Sequence, residues 1–163
     1  MRKTHKNARL LEILLVEDNP ADVRFLNEVF KEARLANRVT ALADGDSALR
    51  YLRGQGDCSG AVKPDLVLLD LNLPGKDGRK VLAEIRRDPL LSALPVIVLS
   101  TSSAPDDVQL SYDLGATFYL VKPADPVQLI RAALRLENVE LALVAPAAGA
   151  RKSARKGGRH GAA

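Results

Sequence analysis

The chain is poor in the residues on which several classes of protein depend. Among 163 residues there is one cysteine, no tryptophan, and an aromatic content of only 4%. Cys58 cannot form an internal disulfide or supply a cysteine metal cluster, which indicates a reducing compartment. Few rings are available to stack on nucleic-acid bases. No run approaches the roughly 18 uninterrupted apolar residues of a membrane span, so we predict a cytoplasmic protein.

Signals for leader peptides, nucleotide binding and sequence-specific DNA binding are also missing. Glu12 and the pair Glu17-Asp18 interrupt any signal-peptide core. The turn after the first apolar run, Glu17 to Pro20, lacks glycine and would repel phosphates unless a metal were bound, which argues against a Rossmann or P-loop nucleotide site. No helix-turn-helix pattern follows residue 140. We therefore expect no sequence-specific binding of nucleic acid.

Charge is segregated along the chain. The net charge is +4, yet residues 1–9 and 151–163 carry four and five basic residues without an acid, so the remainder is acidic. We predict a basic extension at 1–9, one globular domain at 10–144, and a disordered Ala/Gly-rich basic tail at 145–163. The tail could bind phosphate backbones or anionic lipid non-specifically, but a solubilising role is the preferred interpretation.

Short solid apolar runs alternate with segments of helical spacing. Such runs are typical of strands buried on both faces. Strands are predicted at 11–16, 38–43, 66–69, 96–99 and 118–121. Helices are predicted to start at Pro20, Asp44, Arg79, Pro105 and Pro126, the fourth running to Leu114 and the last to about Glu140, with 54–64 as a loop. This alternation predicts an α/β fold with a doubly wound, five-stranded parallel sheet and helices on both faces.

Charged side chains stand where three of these strands end. Glu17 and Asp18 follow the first strand, Asp70 follows the third, and Lys122 follows the fifth. Ligand chemistry in open α/β sheets lies at the carboxyl ends of the strands. Carboxylates are ligands for Mg²⁺, and an aspartate can attack phosphorus to form an acyl phosphate. The pattern predicts a metal and phosphoryl site.

Five separated blocks of residues stand in order along the chain: Leu15-Val16-Glu17-Asp18-Asn19, Leu68-Leu69-Asp70-Leu71-Asn72-Leu73-Pro74, Gly78, Ser100, and Gly115-Ala116 with Tyr119-Leu120-Val121-Lys122-Pro123. Asp70 precedes Ser100 by 30 residues and Lys122 by 52. In order and in spacing these blocks resemble the receiver domain of bacterial response regulators, over about residues 11–140.

The resemblance implies a flavodoxin-like strand order of 2-1-3-4-5 and a role for each site residue. Asp70 would accept the phosphoryl group, and Lys122 and Ser100 would contact it. Ser100 and Tyr119 would form a switch, although Tyr119 could equally be core or interface filling. The implied Mg²⁺ ligands are Glu17, Asp18, Asp70 and the backbone carbonyl of Asn72.

We therefore expect a stand-alone receiver that takes a phosphoryl group from a histidine kinase or phosphotransfer protein and signals through protein contacts. It would not be an enzyme beyond assisting its own phosphorylation and dephosphorylation. It looks most like receivers that partner bacterial phytochromes and related sensor kinases. Such receivers often dimerise through the fourth helix, the fifth strand and the fifth helix, which implies a homodimer involving Tyr119 and the last helix. Three alternatives are a phosphorylation-independent interaction module, a phosphate sink, and an aspartate-nucleophile phosphohydrolase, which would need an acid where Asn72 stands.

Overall fold

The five predicted strands form a single parallel sheet. The computed structural model describes residues 10–135, so the predicted 1–9 extension, the 145–163 tail and the predicted continuation of the last helix over 136–140 lie outside the described residues. The strands are paired in the order β2-β1-β3-β4-β5, and every pairing is parallel. This is the predicted flavodoxin-like order. The strands are β1 (Leu11–Val16), β2 (Asn37–Leu42), β3 (Leu66–Asp70), β4 (Val96–Ser100) and β5 (Phe118–Val121).

Helices cover both faces of this sheet, as predicted. Those of one face, α1 and α5, pack on a cluster that includes Phe30 and Leu129. On the other face, α2 and α3 pack on a cluster that includes Leu49 and Leu82. β3 and β4 are buried along their whole length because they contribute side chains to both clusters. The helices are α1 (Pro20–Glu32), α2 (Gly45–Arg53), α3 (Gly78–Arg87), α4 (Pro105–Asp113) and α5 (Pro126–Leu134).

Helix capping explains where the helices begin. Asn19 caps α1 by accepting a hydrogen bond from the Ala21 amide, and Asp125 caps α5, each with proline following in the first turn as expected. The predicted starts of two other helices are wrong by one residue. Asp44 is the extended N-cap of α2 rather than its first residue. Asp77 caps α3, which places Gly78 inside that helix.

Other predicted boundaries differ from the structure by similar amounts. β2 covers Asn37–Leu42 rather than 38–43, because the register with β1 begins at Asn37 and ends at Leu42. β3 and β4 each continue one residue further, through Asp70 and Ser100, and α4 ends at Asp113 rather than Leu114. The segment predicted as a loop contains a short 3-10 turn, Gly56–Cys58.

Across residues 10–135, none of the helices has the length and apolar character needed to cross a membrane.

Candidate metal and phosphoryl site

The three acids predicted from the strand ends meet at one edge of the sheet. β1 and β3 are neighbours, so Glu17 and Asp18 after β1 lie beside Asp70 at the end of β3. One carboxylate oxygen from each acid lies within 4.8 Å of the other two. Glu17 and Asp70 are only 3% and 4% exposed, whereas Asp18 is exposed to solvent. The cluster is therefore set into the protein and open on one side.

Each buried carboxylate is held by the turn that follows it. The Asn19 amide donates to Glu17 Oε1 over 3.0 Å, and the Asn72 amide donates to Asp70 Oδ1 over 3.0 Å. Both turns leave the second oxygen of the carboxylate for other contacts. Asn72 itself is exposed next to Asp70, and the role of its backbone carbonyl as a metal ligand remains a prediction.

Lys122 lies among these carboxylates, as its position after β5 predicts. Its Nζ lies 2.5 Å from Glu17 Oε2 and 3.0 Å from Asp70 Oδ2. A third acid, Asp22, lies 3.2 Å from the same nitrogen, and the sequence analysis did not identify it. Its signal was its place in the first turn of α1, four residues after Asp18. The Lys122–Pro123 peptide bond is cis.

The charged groups of this cluster shift one another's protonation. Burial is the main cause that raises the pKa of Glu17 to about 6, against the lowering effect of its hydrogen bonds with Lys122 and Asn19. Burial also acts to lower the pKa of Lys122. Hydrogen bonds with Glu17 and Asp70 outweigh that effect and raise the Lys122 pKa above its ordinary value. The ammonium therefore stays charged, and Glu17 takes up a proton as pH falls through about 6.

The predicted switch residues, Ser100 and Tyr119, both contact the loop after β4. Ser100 ends β4 and is buried, and its Oγ accepts a hydrogen bond of 3.2 Å from the Ser102 amide. Tyr119 in β5 packs against the core cluster on the α2 and α3 face. Its hydroxyl donates to the Ser102 carbonyl over 2.7 Å. The structure thus connects both residues to the loop after β4, while a change of rotamer remains a prediction.

The donor set fits a small hard cation. Mg²⁺ prefers oxygen ligands and is commonly bound by one or two carboxylates together with phosphate oxygens and water. The clustered oxygens of Glu17, Asp18 and Asp70 provide carboxylates at suitable spacing, and the exposure of Asp18 leaves access for water. An aspartate at such a cluster, beside a lysine and a buried serine hydroxyl, is equipped to take up a phosphoryl group.

The fold and this site define the class of the protein, and comparison with known proteins agrees. The family model for the response regulator receiver domain matches residues 13–134. The chain belongs to this family, as its motifs predict.

Similar proteins include the response regulator Rcp1 of a Synechocystis species, 44% identical over 132 residues that cover 81% of this chain and 90% of Rcp1. The Mn²⁺-bound structure of Rcp1 superposes with a TM-score of 0.69, covering 80% of this chain and 98% of that one at 43% identity. The phosphorylated cyanobacterial phytochrome response regulator RcpA is 48% identical, with a TM-score of 0.68 and coverage of 76% and 88%.

A further similar structure holds a magnesium ion in its own active-site cleft. It is the receiver domain of the sensor histidine kinase PA1611 from Pseudomonas aeruginosa PAO1, with a magnesium ion coordinated in its active-site cleft. It is 31% identical, with a TM-score of 0.67, and covers 78% of this chain and 98% of that one.

Proposed function

We propose that this receiver accepts a phosphoryl group on Asp70 from a histidine kinase or phosphotransfer protein, with Mg²⁺ held by Glu17, Asp18, Asp70 and the Asn72 carbonyl. One observation carries the proposal. A carboxylate that is 4% exposed lies in a cluster of acid oxygens within 4.8 Å and also contacts a lysine ammonium at 3.0 Å. This arrangement suits a carboxylate nucleophile, because the ammonium and a bound cation would offset its repulsion from an anionic phosphoryl group.

Each residue has a separate task in this proposal. A carboxylate oxygen of Asp70 forms a bond to phosphorus while the bond from phosphorus to the donor's leaving group breaks. Bound Mg²⁺ would neutralise charge on the incoming phosphoryl oxygens. The Lys122 ammonium would contact a phosphoryl oxygen in place of a carboxylate partner. The Ser100 hydroxyl would donate a hydrogen bond to a second phosphoryl oxygen. Binding of that group at Ser100 would then act on Tyr119 through the loop after β4.

The partners are proposed from the relatives. RcpA is a phytochrome response regulator, and a red-light signalling regulator of R. palustris is 34% identical to this chain, with a TM-score of 0.71. These relatives support a phytochrome-type sensor histidine kinase as the phosphoryl donor. We further propose a cytoplasmic location, which the lone Cys58 supports, and a role as phosphoacceptor and signal transmitter without turnover of an external substrate.

The most direct test is incubation with acetyl phosphate and Mg²⁺, followed by intact-mass measurement. Wild type should gain one phosphoryl group, and EDTA added beforehand should prevent this gain. Asp70→Asn should gain none. Asp57→Asn changes an exposed acid in the 3-10 turn and should behave as wild type. If wild type gains no group and also fails to bind beryllofluoride with Mg²⁺, the proposal is wrong and a phosphorylation-independent interaction module becomes the better account.

A homodimer through α4, β5 and α5 is also proposed. Large apolar side chains remain exposed along these elements, and they include Tyr112, Val121 and Val127 at 42%, 41% and 58%. Burying such side chains would favour association. Light scattering with multi-angle detection, with and without beryllofluoride, should show a dimer that Val121→Asp weakens. A monomer at all concentrations in both conditions would contradict it.

A further inference from the structure

The loop between β4 and α4 contains one residue whose polar groups are all engaged. The Ser102 amide donates to Ser100 Oγ over 3.2 Å, and its carbonyl accepts from the Tyr119 hydroxyl over 2.7 Å. Its own hydroxyl donates to Asp107 Oδ2 over 2.5 Å and accepts from the Ala104 amide over 3.2 Å. Ser102 thus connects the serine at the phosphoryl site to β5 and to the first turn of α4.

The carboxylate that holds Ser102 is itself held from another helix. Arg79, in the first turn of α3, places Nη2 at 3.4 Å from Asp107 Oδ1. Within residues 10–135, Arg79 Nε is buried without a hydrogen-bond partner, while Nη2 of the same guanidinium contacts Asp107. Arg79 lies immediately after Gly78, whose backbone packs against the carbonyl of Asp70. One end of this network is therefore Ser100, and the other end, Arg79, is next in sequence to the glycine that packs against Asp70.

The arrangement determines how Ser100 can use its hydroxyl. An oxygen that already accepts the Ser102 N–H keeps its own hydrogen for donation to an acceptor. Phosphoryl oxygens are such acceptors, and a hydroxyl that is oriented before they arrive loses less conformational freedom on binding. Displacement of Ser102 would remove that orientation.

Resting on the proposed function of Asp70, we propose that Asp107 and Arg79 are positioning residues for its phosphoryl group. They hold Ser102, and through its amide they hold the Ser100 hydroxyl in the orientation that receives the phosphoryl oxygens. Neither residue reaches the reacting atoms in this account. Their effect on the phosphoryl group therefore has to pass through Ser100.

The test measures the affinity of beryllofluoride, a mimic of the aspartyl phosphate, by calorimetry at saturating Mg²⁺. Asp107→Asn and Arg79→Gln should each weaken this affinity by about three- to tenfold, which is the usual net contribution of a single hydrogen bond. The matched control is Asp106→Asn, an exposed acid on the same turn of α4, and it should bind as wild type. The affinity for Mg²⁺ alone should change by less than about twofold, because these residues lie outside the carboxylate cluster.

Coupling to Ser100 separates positioning from a general structural role. In a Ser100→Ala background, Asp107→Asn and Arg79→Gln should weaken beryllofluoride binding by less than about twofold, because the hydroxyl that they orient is gone. The same loss in both backgrounds would overturn the proposal, as would unchanged or tighter binding by both variants. Arg79→Gln leaves the hydrogen bond between Ser102 and Asp107 in place, so this variant remains informative if Asp107→Asn unfolds. For either variant, retained Mg²⁺ binding shows that the carboxylate cluster is intact. Failure of wild type to bind beryllofluoride would instead refute the role of Asp70, and this inference with it.

Discussion

At the scale of single residues, Lys122 shows how the site balances its charge. Its ammonium contacts Glu17, Asp70 and Asp22 together, so it offsets part of the repulsion among acids that are otherwise close enough to disfavour the fold. The offset is incomplete, because burial still raises the pKa of Glu17 to about 6. The free energy of unfolding therefore depends on pH through Glu17, and a bound cation would reduce this dependence.

The raised pKa of Glu17 predicts how the free energy of unfolding depends on pH when no metal is present. The pKa of Glu17 rises from 4.5 on folding to about 6, so its contribution is fully present below pH 4.5 and is lost as pH rises through about 6. The free energy of unfolding of wild type, relative to Glu17→Gln, should fall by about 2 kcal/mol between acid and neutral pH, at about 1.4 kcal/mol per pKa unit. Urea unfolding at a series of pH values in EDTA measures this difference.

Two controls make that measurement specific to the site. Glu28→Gln removes an exposed acid from α1, and its stability relative to wild type should not vary over the same pH range. Saturating Mg²⁺ should abolish most of the pH dependence that Glu17 causes, because the metal binds the deprotonated carboxylate. A difference between wild type and Glu17→Gln that is the same at every pH would contradict the account.

Residue chemistry at strand ends was predictable, but contacts made across the fold were not. Asp70 and Lys122 stand directly after apolar runs and Asp18 stands two residues after one, so their convergence follows from parallel strand order. Asp22 lies inside a helix, where an acid in the first turn is also explained by the helix dipole. Asp107 is hidden in the same way, since it also lies in the first turn of a helix, and its contact with Arg79 joins α4 to α3 across 28 residues of sequence.

At the scale of elements, α3 must approach the end of β3 closely. A Cβ built on Gly78 would lie 2.5 Å from the Asp70 carbonyl oxygen and 2.7 Å from Leu71 Cα, and backbone atoms cannot turn aside as a side chain could. The glycine therefore allows the helix to pack directly against the segment that presents Asp70. Gly78 is the first residue of α3, directly after the N-cap Asp77, so the close approach falls at the very start of the helix.

Gly78→Ala should consequently disturb both folding and the site. We expect a loss of about 1–3 kcal/mol in the free energy of unfolding, the usual cost of overpacking, together with weaker Mg²⁺ binding because the Asp70 backbone has to move. Urea unfolding and calorimetry measure the two effects. Gly60→Ala is the control, since a Cβ there meets nothing within 4 Å. Equal stability of the two variants would show that the close approach is not required.

Arg86 joins α3 to the far end of β4 and β5. Its Nε donates to the Gly115 carbonyl over 2.8 Å, and its Nη1 donates to the Leu94 and Ser92 carbonyls over 2.6 and 3.2 Å. Burial lowers the pKa of this guanidinium below its ordinary value. Helical spacing in the sequence showed only the apolar face of α3, so this polar connection was not predicted.

Replacing Arg86 should therefore be costly although it lies away from the site. Arg86→Met keeps the aliphatic stem but leaves several carbonyls without their donor, and we expect a loss of about 2–3 kcal/mol in the free energy of unfolding. The exposed neighbour on the same helix provides the control Arg87→Met, with an expected change within about 0.5 kcal/mol. If both variants unfold at the same urea concentration, the connection does not stabilise the fold.

At the scale of the whole molecule, the alternation of strands and helices predicted a doubly wound parallel sheet, and the family resemblance supplied the order of its strands. Parallel strands need crossovers, and crossovers are right-handed, so few arrangements of five strands remain. The order β2-β1-β3-β4-β5 places β1 and β4 on either side of β3. This order brings Glu17, Asp70 and Ser100 to one edge, and it is why residues more than 80 positions apart form one site.

The central claim is that Asp70 carries the phosphoryl group, and locating the modified residue tests it most directly. Borohydride reduces an aspartyl phosphate to homoserine, which survives digestion. After treatment with acetyl phosphate and Mg²⁺, trypsin separates peptide 54–76, which contains Asp70, from peptide 10–24, which contains Glu17, Asp18 and Asp22. Fragment spectra should show homoserine at position 70 alone, absent when Mg²⁺ is chelated. Homoserine at position 18 or 22, or a phosphoryl adduct without reduction at 70, would contradict the account.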